Sequence, residues 1–373
     1  MLDQALQSDS CSLSIVESGA AALFCRGELS RRVPSRWLRM MVLQDHDSDS
    51  LGPRPAISTA IPTDVRIRSI TYLEEVDAWD VQFEGENALF RIDPDRLGAS
   101  SDMLVGEGPE QTPFNSSDQP NRQIDCDTLE SPAAVRSLLD SLLRRGYARI
   151  RGVKTDEGSF FKVAKRLGFD GSQGQLNIER EVLHHGGREG SSHLFAPHTE
   201  SPHRDPMPDY HLCLCTETTL KGGDMILVDG LNAVTTLAME SPIGAAELSR
   251  WPMLFVGERS SSERRLVPMF ETGVDGSLRR IIFNDRAAID FACPGDRLGV
   301  CAEAYESLSR VVEREGIQNR FRVQAGDLVV IDNRRVLHGA KSGNSGERTM
   351  LCCNIDRSQI MSTWRRARSG ELD

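Results

Sequence analysis

Two metal-binding side chains separated by a single residue, His198 and Glu200, with a third candidate, His338, a hundred and forty residues later, constrain this chain more than any other feature. On an extended strand alternate side chains share a face, so His198 and Glu200 can address one point while Thr199 points away. The third donor must then come from another strand. Gly326–Gly339 offers one: a turn at Gly326-Asp327, a β-branched run Leu328-Val329-Val330-Ile331, then a polar stretch ending at His338. A fold is required that brings two strands, far apart in sequence, side by side. Two imidazoles and one carboxylate hold Fe(II) by one face and leave its other positions open for oxygen chemistry. A His-x-Glu by itself is common by chance, so the flanking sequence decides.

Four segments occur in order: His198-Thr199-Glu200-Ser201-Pro202-His203-Arg204-Asp205-Pro206, Gly222-Gly223-Asp224, Val228-Asp229-Gly230 and Asn333-Arg334-Arg335-Val336-Leu337-His338-Gly339. Together they resemble the Fe(II)/2-oxoglutarate-dependent oxygenases of the taurine dioxygenase superfamily, specifically the γ-butyrobetaine hydroxylase-like branch, over Ile124 to Asp356. The resemblance implies catalytic metal ligation by His198, Glu200 and His338, with 2-oxoglutarate and O2 as co-substrates. The far carboxylate of 2-oxoglutarate needs a cationic fork, which arginine supplies through planar paired donors. Arg348, ten residues past His338, fits that role. Taurine dioxygenase relatives place Thr after Gly-Gly-Asp to touch 2-oxoglutarate; here Met225 stands there, so altered contacts to the co-substrate are expected.

The implied reaction is oxidation of an unactivated C–H bond in a small polar metabolite, with 2-oxoglutarate converted to succinate and CO2. Hydroxylation is the default; desaturation or epoxidation needs only another substrate pose. Glu200 argues against halogenation, since halogenating relatives replace the acidic ligand. Betaine-hydroxylating relatives trap trimethylammonium between aromatic faces. Here the two cage positions hold Gly190 and Asn354, and Gln173-Gly174 stands where relatives have Tyr-Gly. A quaternary ammonium substrate held in that way is not expected. His184, His185, Arg188 and His193 before the metal strand, and His203 and Arg204 after it, suggest an anionic or polyfunctional substrate. His193, His203, Asn284 and Asn354 are the candidate substrate contacts. Two other classes remain open: a non-oxidative cupin-like metal enzyme, and a degenerate regulatory or scaffolding homologue. Retention of all three ligands and of Arg348 weighs against both.

A net charge of −11 and a pI near 5.3 argue against nucleic acid, whose binding rests on cationic contacts to phosphate. No apolar run reaches the roughly eighteen residues of a membrane span, and the N-terminus lacks a basic segment followed by an apolar stretch. The expectation is a cytoplasmic protein with a small-molecule substrate and no membrane or nucleic-acid partner; related enzymes are often homodimers. Nine cysteines with no Cys-x-x-Cys pair suggest reduced thiols rather than a disulfide framework.

With 373 residues, 39 % of them hydrophobic, the chain can build one large domain and a smaller one. Gly106 to Gln123, rich in Gly, Pro, Ser, Asn and Gln, reads as a linker, which places a small N-terminal α+β or β domain at 1–120 and the catalytic domain at 121–373. The first resembles the N-terminal domain of the γ-butyrobetaine hydroxylase-like enzymes, but Met40–Ser50, where these carry a cysteine-rich zinc site, has only His46 and no Cys. Structural zinc needs four nitrogen or sulfur ligands, so none is expected. Strands are read at Val65–Tyr72, Ala78–Phe83 and Ala88–Ile92. In the second region, helices at Ala133–Arg145, capped by Ser131, Glu157–Leu167 and Arg297–Glu315 flank many short strands. This mainly β pattern with outer helices fits a double-stranded β-helix, or jelly roll, with the metal between its sheets.

Overall fold

The computed structural model describes residues 11–26, 29–43, 61–92, 94, 97, 108–118, 123–169, 177–184, 193–257, 262–273, 277–341 and 343–372. They fall into two compact units, Met1–Glu107 and Gly108–Asp373. Among the described residues no helix is long and apolar enough to cross a membrane.

The first unit holds two antiparallel three-stranded sheets. Strands β1 (Ser12–Val16), β2 (Ala21–Arg26) and β3 (Leu29–Pro34) form one, followed by helix α1 (Ser35–Leu43); β4 (Ile67–Leu73), β5 (Ala78–Phe83) and β6 (Leu89–Ile92) form the other. Alternation along β5 turns Trp79, Val81 and Phe83 inward, where they meet Phe24, Val33, Leu38, Phe90 and Ile92. The strands read at 78–83 and 88–92 are present with at most one residue of difference; β1 to β3 and α1 were not foreseen. Met40 to Leu43 close α1, while His46 lies outside the described residues.

The second unit begins with β7 (Ile124–Asp125), α2 (Pro132–Arg145), β8 (Tyr147–Arg151) and α3 (Glu157–Arg166). Next come β9 (Glu179–His184), β10 (His193–His198), β11 (Tyr210–Thr218), β12 (Lys221–Gly222) and β13 (Met225–Asp229). Helices α4 (Gly230–Glu240) and α5 (Pro242–Arg250) precede β14 (Met253–Val256), β15 (Arg264–Val267), β16 (Phe270–Thr272), β17 (Leu278–Ile281) and β18 (Ala288–Phe291). After α6 (Gly295–Val312) the chain ends in β19 (Gln318–Phe321), β20 (Leu328–Asp332), β21 (Val336–Lys341), β22 (Gly343–Ser345), β23 (Glu347–Ile355) and α7 (Arg357–Ser369).

Two sheets dominate: a six-stranded one in the order β7-β8-β20-β11-β23-β9 and a four-stranded one, β10-β21-β13-β19. All their pairings are antiparallel except β7 with β8. Period-two alternation sorts their residues between cores. On β11 and β20, Leu212, Leu214, Leu328 and Val330 pack with Leu138 and Leu142 of α2, Phe160 of α3 and Trp364 of α7. Their neighbours Cys213, Cys215, Val329 and Ile331 turn the other way and meet Met225 and Leu227 of β13 and Phe321 of β19, so the six- and four-stranded sheets share one inner core. Ile226 and Val228 of β13 pack instead with Leu237, Leu248 and Leu308 of α4, α5 and α6. The helix read at 297–315 thus runs 295–312, and α4 and α5 fall where only short strands were expected. Their start is a local signal: Asp229 caps α4, its Oδ1 accepting from Leu231 N at 3.0 Å. Ser131 occupies the expected cap position of α2, yet its side chain makes no capping bond; its carbonyl accepts from Ala134 and Val135.

Part of the stretch read as a linker is fastened down. Thr112 N donates to Arg144 O at 2.8 Å, Phe114 N to Asp229 Oδ2 at 3.0 Å, and the Phe114 ring meets Tyr147 edge-on at 5.0 Å. Residues 108–118 belong physically to the second unit, because apolar Phe114 is fully buried amid otherwise polar, turn-forming neighbours.

Candidate metal centre and pocket

Strands β10 and β21 pair with His198 directly opposite His338, and Glu200 follows two residues beyond β10's histidine. His338 shares its face with inward-pointing Val336, which aims it between the sheets. The Nε2 atoms of His198 and His338 lie 3.7 and 3.9 Å from Glu200 Oε2, and the three donors are all within 4.8 Å of one another. That spacing lets a small shift of side chains close them on one ion. His198 Nδ1 donates to Ala196 O at 2.8 Å, which fixes the tautomer that leaves Nε2 free as a ligand.

The backbone around this point is held with equal care. Asn333, fully buried, accepts from Glu200 N at 2.6 Å and donates through Nδ2 to Glu200 O at 3.1 Å and Pro208 O at 2.9 Å. Ser201 Oγ donates to Glu200 Oε1 at 2.9 Å, leaving Oε2 toward the histidines. Thr199 faces away, bonded to Phe283 O through both its amide and hydroxyl. Gly339 permits the close approach of β10: a Cβ there would stand 2.5 Å from Phe195 O and 2.9 Å from Pro197 N. Burial, reinforced by His198 and His211, holds the His338 imidazole well below its ordinary value, which favours the neutral ring that can offer a lone pair to a metal. For Glu200 burial acts upward, but the imidazoles of His198, His211 and His338 outweigh it and hold the carboxyl well below its usual range.

The donors open into a cavity of about 410 Å³ lined by both sheets and the loop after β10. Arg348 lies on its wall at 1 % exposure. Its Nη2 donates to Gly223 O at 2.7 Å, a carbonyl presented by the left-handed backbone of Gly223 (φ +68°). Its Nε is buried without a hydrogen-bond partner, and among the described residues no carboxylate stands within ion-pair distance of the guanidinium. Met225 lines the same cavity. A buried cation lacking its counter-charge, facing a cavity beside two imidazoles and a carboxylate, suits a small dianion that reaches from the metal to the arginine.

The remaining candidates are placed as follows. His203 lines the cavity with Nε2 3.3 Å from Glu263. Asn284 also lines it, but both ends of its amide are engaged, with Thr199 O at 3.2 Å and Arg286 N at 3.0 Å. Asn354 is not among the cavity's lining residues; its Oδ1 accepts from His211 Nδ1 at 2.9 Å. His193 opens β10 opposite Lys341, and its side chain lies outside the described residues, as do His185, Arg188, Gly190 and the Gln173-Gly174 pair. His184 is exposed beside Glu347. Phe195 is the one Phe, Tyr or Trp ring on the described wall, and the Arg286 guanidinium already sits 4.7 Å from its centroid. Sequence reading missed Glu179 and Glu181, brought to the wall by the pairing of β9 with β23, a register no local pattern encodes.

Residues 110–354, about two thirds of the chain, match the family described as "Taurine catabolism dioxygenase TauD, TfdA family". The chain is similar to a γ-butyrobetaine dioxygenase of Pseudomonas sp. (strain AK-1), 26% identical over 245 residues, covering 64% of this chain and 62% of that protein. It is also similar to the mitochondrial trimethyllysine dioxygenase of Bos taurus, 24% identical over 64% of this chain and 58% of the relative. The matched stretch therefore spans less than two thirds of each relative's length. A solved taurine dioxygenase from Burkholderia xenovorans superposes with a TM-score of 0.49 at 13% identity, over 68% of this chain and 98% of the other.

Proposed function

The chain belongs to the TauD, TfdA dioxygenase family, and from that premise we propose that it is an Fe(II)- and 2-oxoglutarate-dependent dioxygenase oxidising a C–H bond of a small polar metabolite. The observation that carries the reading is the pairing of two features on one cavity: three convergent donors and a buried arginine without a carboxylate. The six- and four-stranded sheets are read as the halves of a double-stranded β-helix, and the first unit as the small N-terminal domain of the γ-butyrobetaine hydroxylase-like branch.

His198 Nε2, His338 Nε2 and Glu200 Oε2 would hold Fe(II), which with O2 and 2-oxoglutarate supplies the oxidising power: R–H, O2 and 2-oxoglutarate give R–OH, succinate and CO2. Arg348 holds the far carboxylate of 2-oxoglutarate, satisfying both its own Nε and its missing counter-charge. Met225 narrows the wall beside it with an apolar group where relatives hydrogen-bond. Asn333 fixes the Glu200 backbone and Ser201 its Oε1, so that Oε2 would stay aimed at the iron. The substrate enters between β9 and the loop after β10. Arg286 over Phe195 occupies the ring face that a quaternary ammonium would need, so the wall's Glu179, Glu181, His203 and Arg204 select a polar substrate of mixed charge.

The test is succinate formation from 2-oxoglutarate by anaerobically Fe(II)-loaded protein exposed to air, across a panel of amino acids, amines, phosphonates and acyl acids. Turnover that rises with one compound and vanishes in His198→Ala is the expected result. Protein that binds neither Fe(II) nor 2-oxoglutarate would favour the scaffolding alternative.

A further inference from the structure

A second cluster of donors lies on the inner face of the six-stranded sheet, separate from the first three. His211 and Cys213 are two apart on β11 and so share a face, and Cys352 sits directly opposite Cys213 on β23. The His211 nitrogen and the two sulfurs lie within 4.8 Å of one another, at 3 %, 4 % and 3 % exposure. His211 Nδ1 lies 2.9 Å from Asn354 Oδ1, which leaves the other ring nitrogen, Nε2, for the thiols. All three line the cavity, so an ion can reach them from solvent. Neither cysteine is in a disulfide.

We propose that His211, Cys213 and Cys352 form a second metal site, specific for a thiophilic cation such as Zn(II), Cd(II) or Cu(I). The donor chemistry separates it from the first: two sulfurs and one imidazole favour soft, tetrahedral ions, whereas two imidazoles and a carboxylate suit Fe(II). A divalent ion bound by two thiolates and a neutral imidazole carries no net charge, which fits a buried position; the two thiol protons leave to solvent as it binds. The fourth position faces the cavity and takes water or a substrate atom. An Asn at 354 and a paired Cys at 352 and 213 thus do together what no one of them indicates alone. The His211 ring stacks on His338 with centroids 5.2 Å apart, so an occupied second site places a second cation close to the first. Excess zinc or cadmium is expected to inhibit through this site.

The experiment is a cadmium titration of reduced, metal-stripped full-length protein, followed by thiolate-to-metal charge-transfer absorption, which the sulfur-free first site cannot produce. Wild type and His198→Ala/His338→Ala should develop the band to one equivalent, and Cys213→Ala/Cys352→Ala should lose it. A band that persists without the two cysteines, or none in wild type, overturns the proposal. X-ray absorption of the cadmium-loaded wild type needs no variant: two sulfur neighbours per bound ion are expected, and a shell of nitrogen and oxygen alone would contradict the assignment. Because the readout requires neither iron nor turnover, its failure is distinguishable from failure of the dioxygenase reading.

Discussion

Among the described residues of the second unit two arginines are almost fully buried, and their surroundings are finished in opposite ways. Just before β21, every nitrogen of Arg335 has a partner: Nε and Nη2 meet Asp229 at 3.0 and 2.7 Å, and Nη1 and Nη2 also donate to the carbonyls of Arg144 and Thr112. Asp229 in turn accepts from Phe114 N and Leu231 N. Arg348, on the cavity wall, has a single carbonyl for a partner and a buried Nε with none. A completed network fixes strands and the 108–118 segment in place; an incomplete one is a socket for an anion. Burial of charge alone does not separate structure from function here, but the state of its partners does.

The largest expected effect tests the completed side. Arg335→Leu leaves Asp229 buried and unpaired, and should destabilise the fold by about 3–5 kcal/mol in urea denaturation; Arg335→Leu/Asp229→Leu should recover much of that. A loss below about 1 kcal/mol for the single variant would break the comparison. Arg348→Met tests the other side. Stability should change by less than about 1 kcal/mol, while 2-oxoglutarate affinity falls roughly thirtyfold, about 2 kcal/mol, by calorimetry. An affinity unchanged within error would remove the socket role. Asn333, between the two regions, should behave as a support: Asn333→Ala is expected to weaken Fe(II) binding about tenfold or more through Glu200. Retained metal affinity with lowered stability would move Asn333 to the structural side. The smallest effect belongs to an unmet bond in solvent. Since the exposed Ser131 side chain makes no capping bond, Ser131→Ala should shift stability by under about 0.5 kcal/mol, against roughly 1 kcal/mol for a working cap.

The meeting of His198, Glu200 and His338 was legible because it depends on one period-two pattern and one family resemblance. Helices whose apolar stripe and stop signal coincide, such as α2 ending at Gly146, were legible for the same local reason. Helices α4 and α5 were not: both are short, and apolar positions in Gly230–Arg250 do not distinguish a helix packed on a sheet from short buried strands. Asn333 stood inside a motif already singled out, yet its role depends on Glu200, 133 residues away. The Cys213–Cys352 pair and the arrival of Glu181 at the wall are products of strand register between β9, β23 and β11. Register is set by the whole hydrophobic pattern of a sheet rather than by its local sequence, so neither could be read beforehand.

The most direct test of the central claim is calorimetric binding of 2-oxoglutarate under anaerobic conditions, with and without Fe(II), in wild type, His198→Ala and Arg348→Met. The account predicts tight binding only when Fe(II) is present, lost in His198→Ala and weakened in Arg348→Met. Binding that ignores the metal and both substitutions would contradict it.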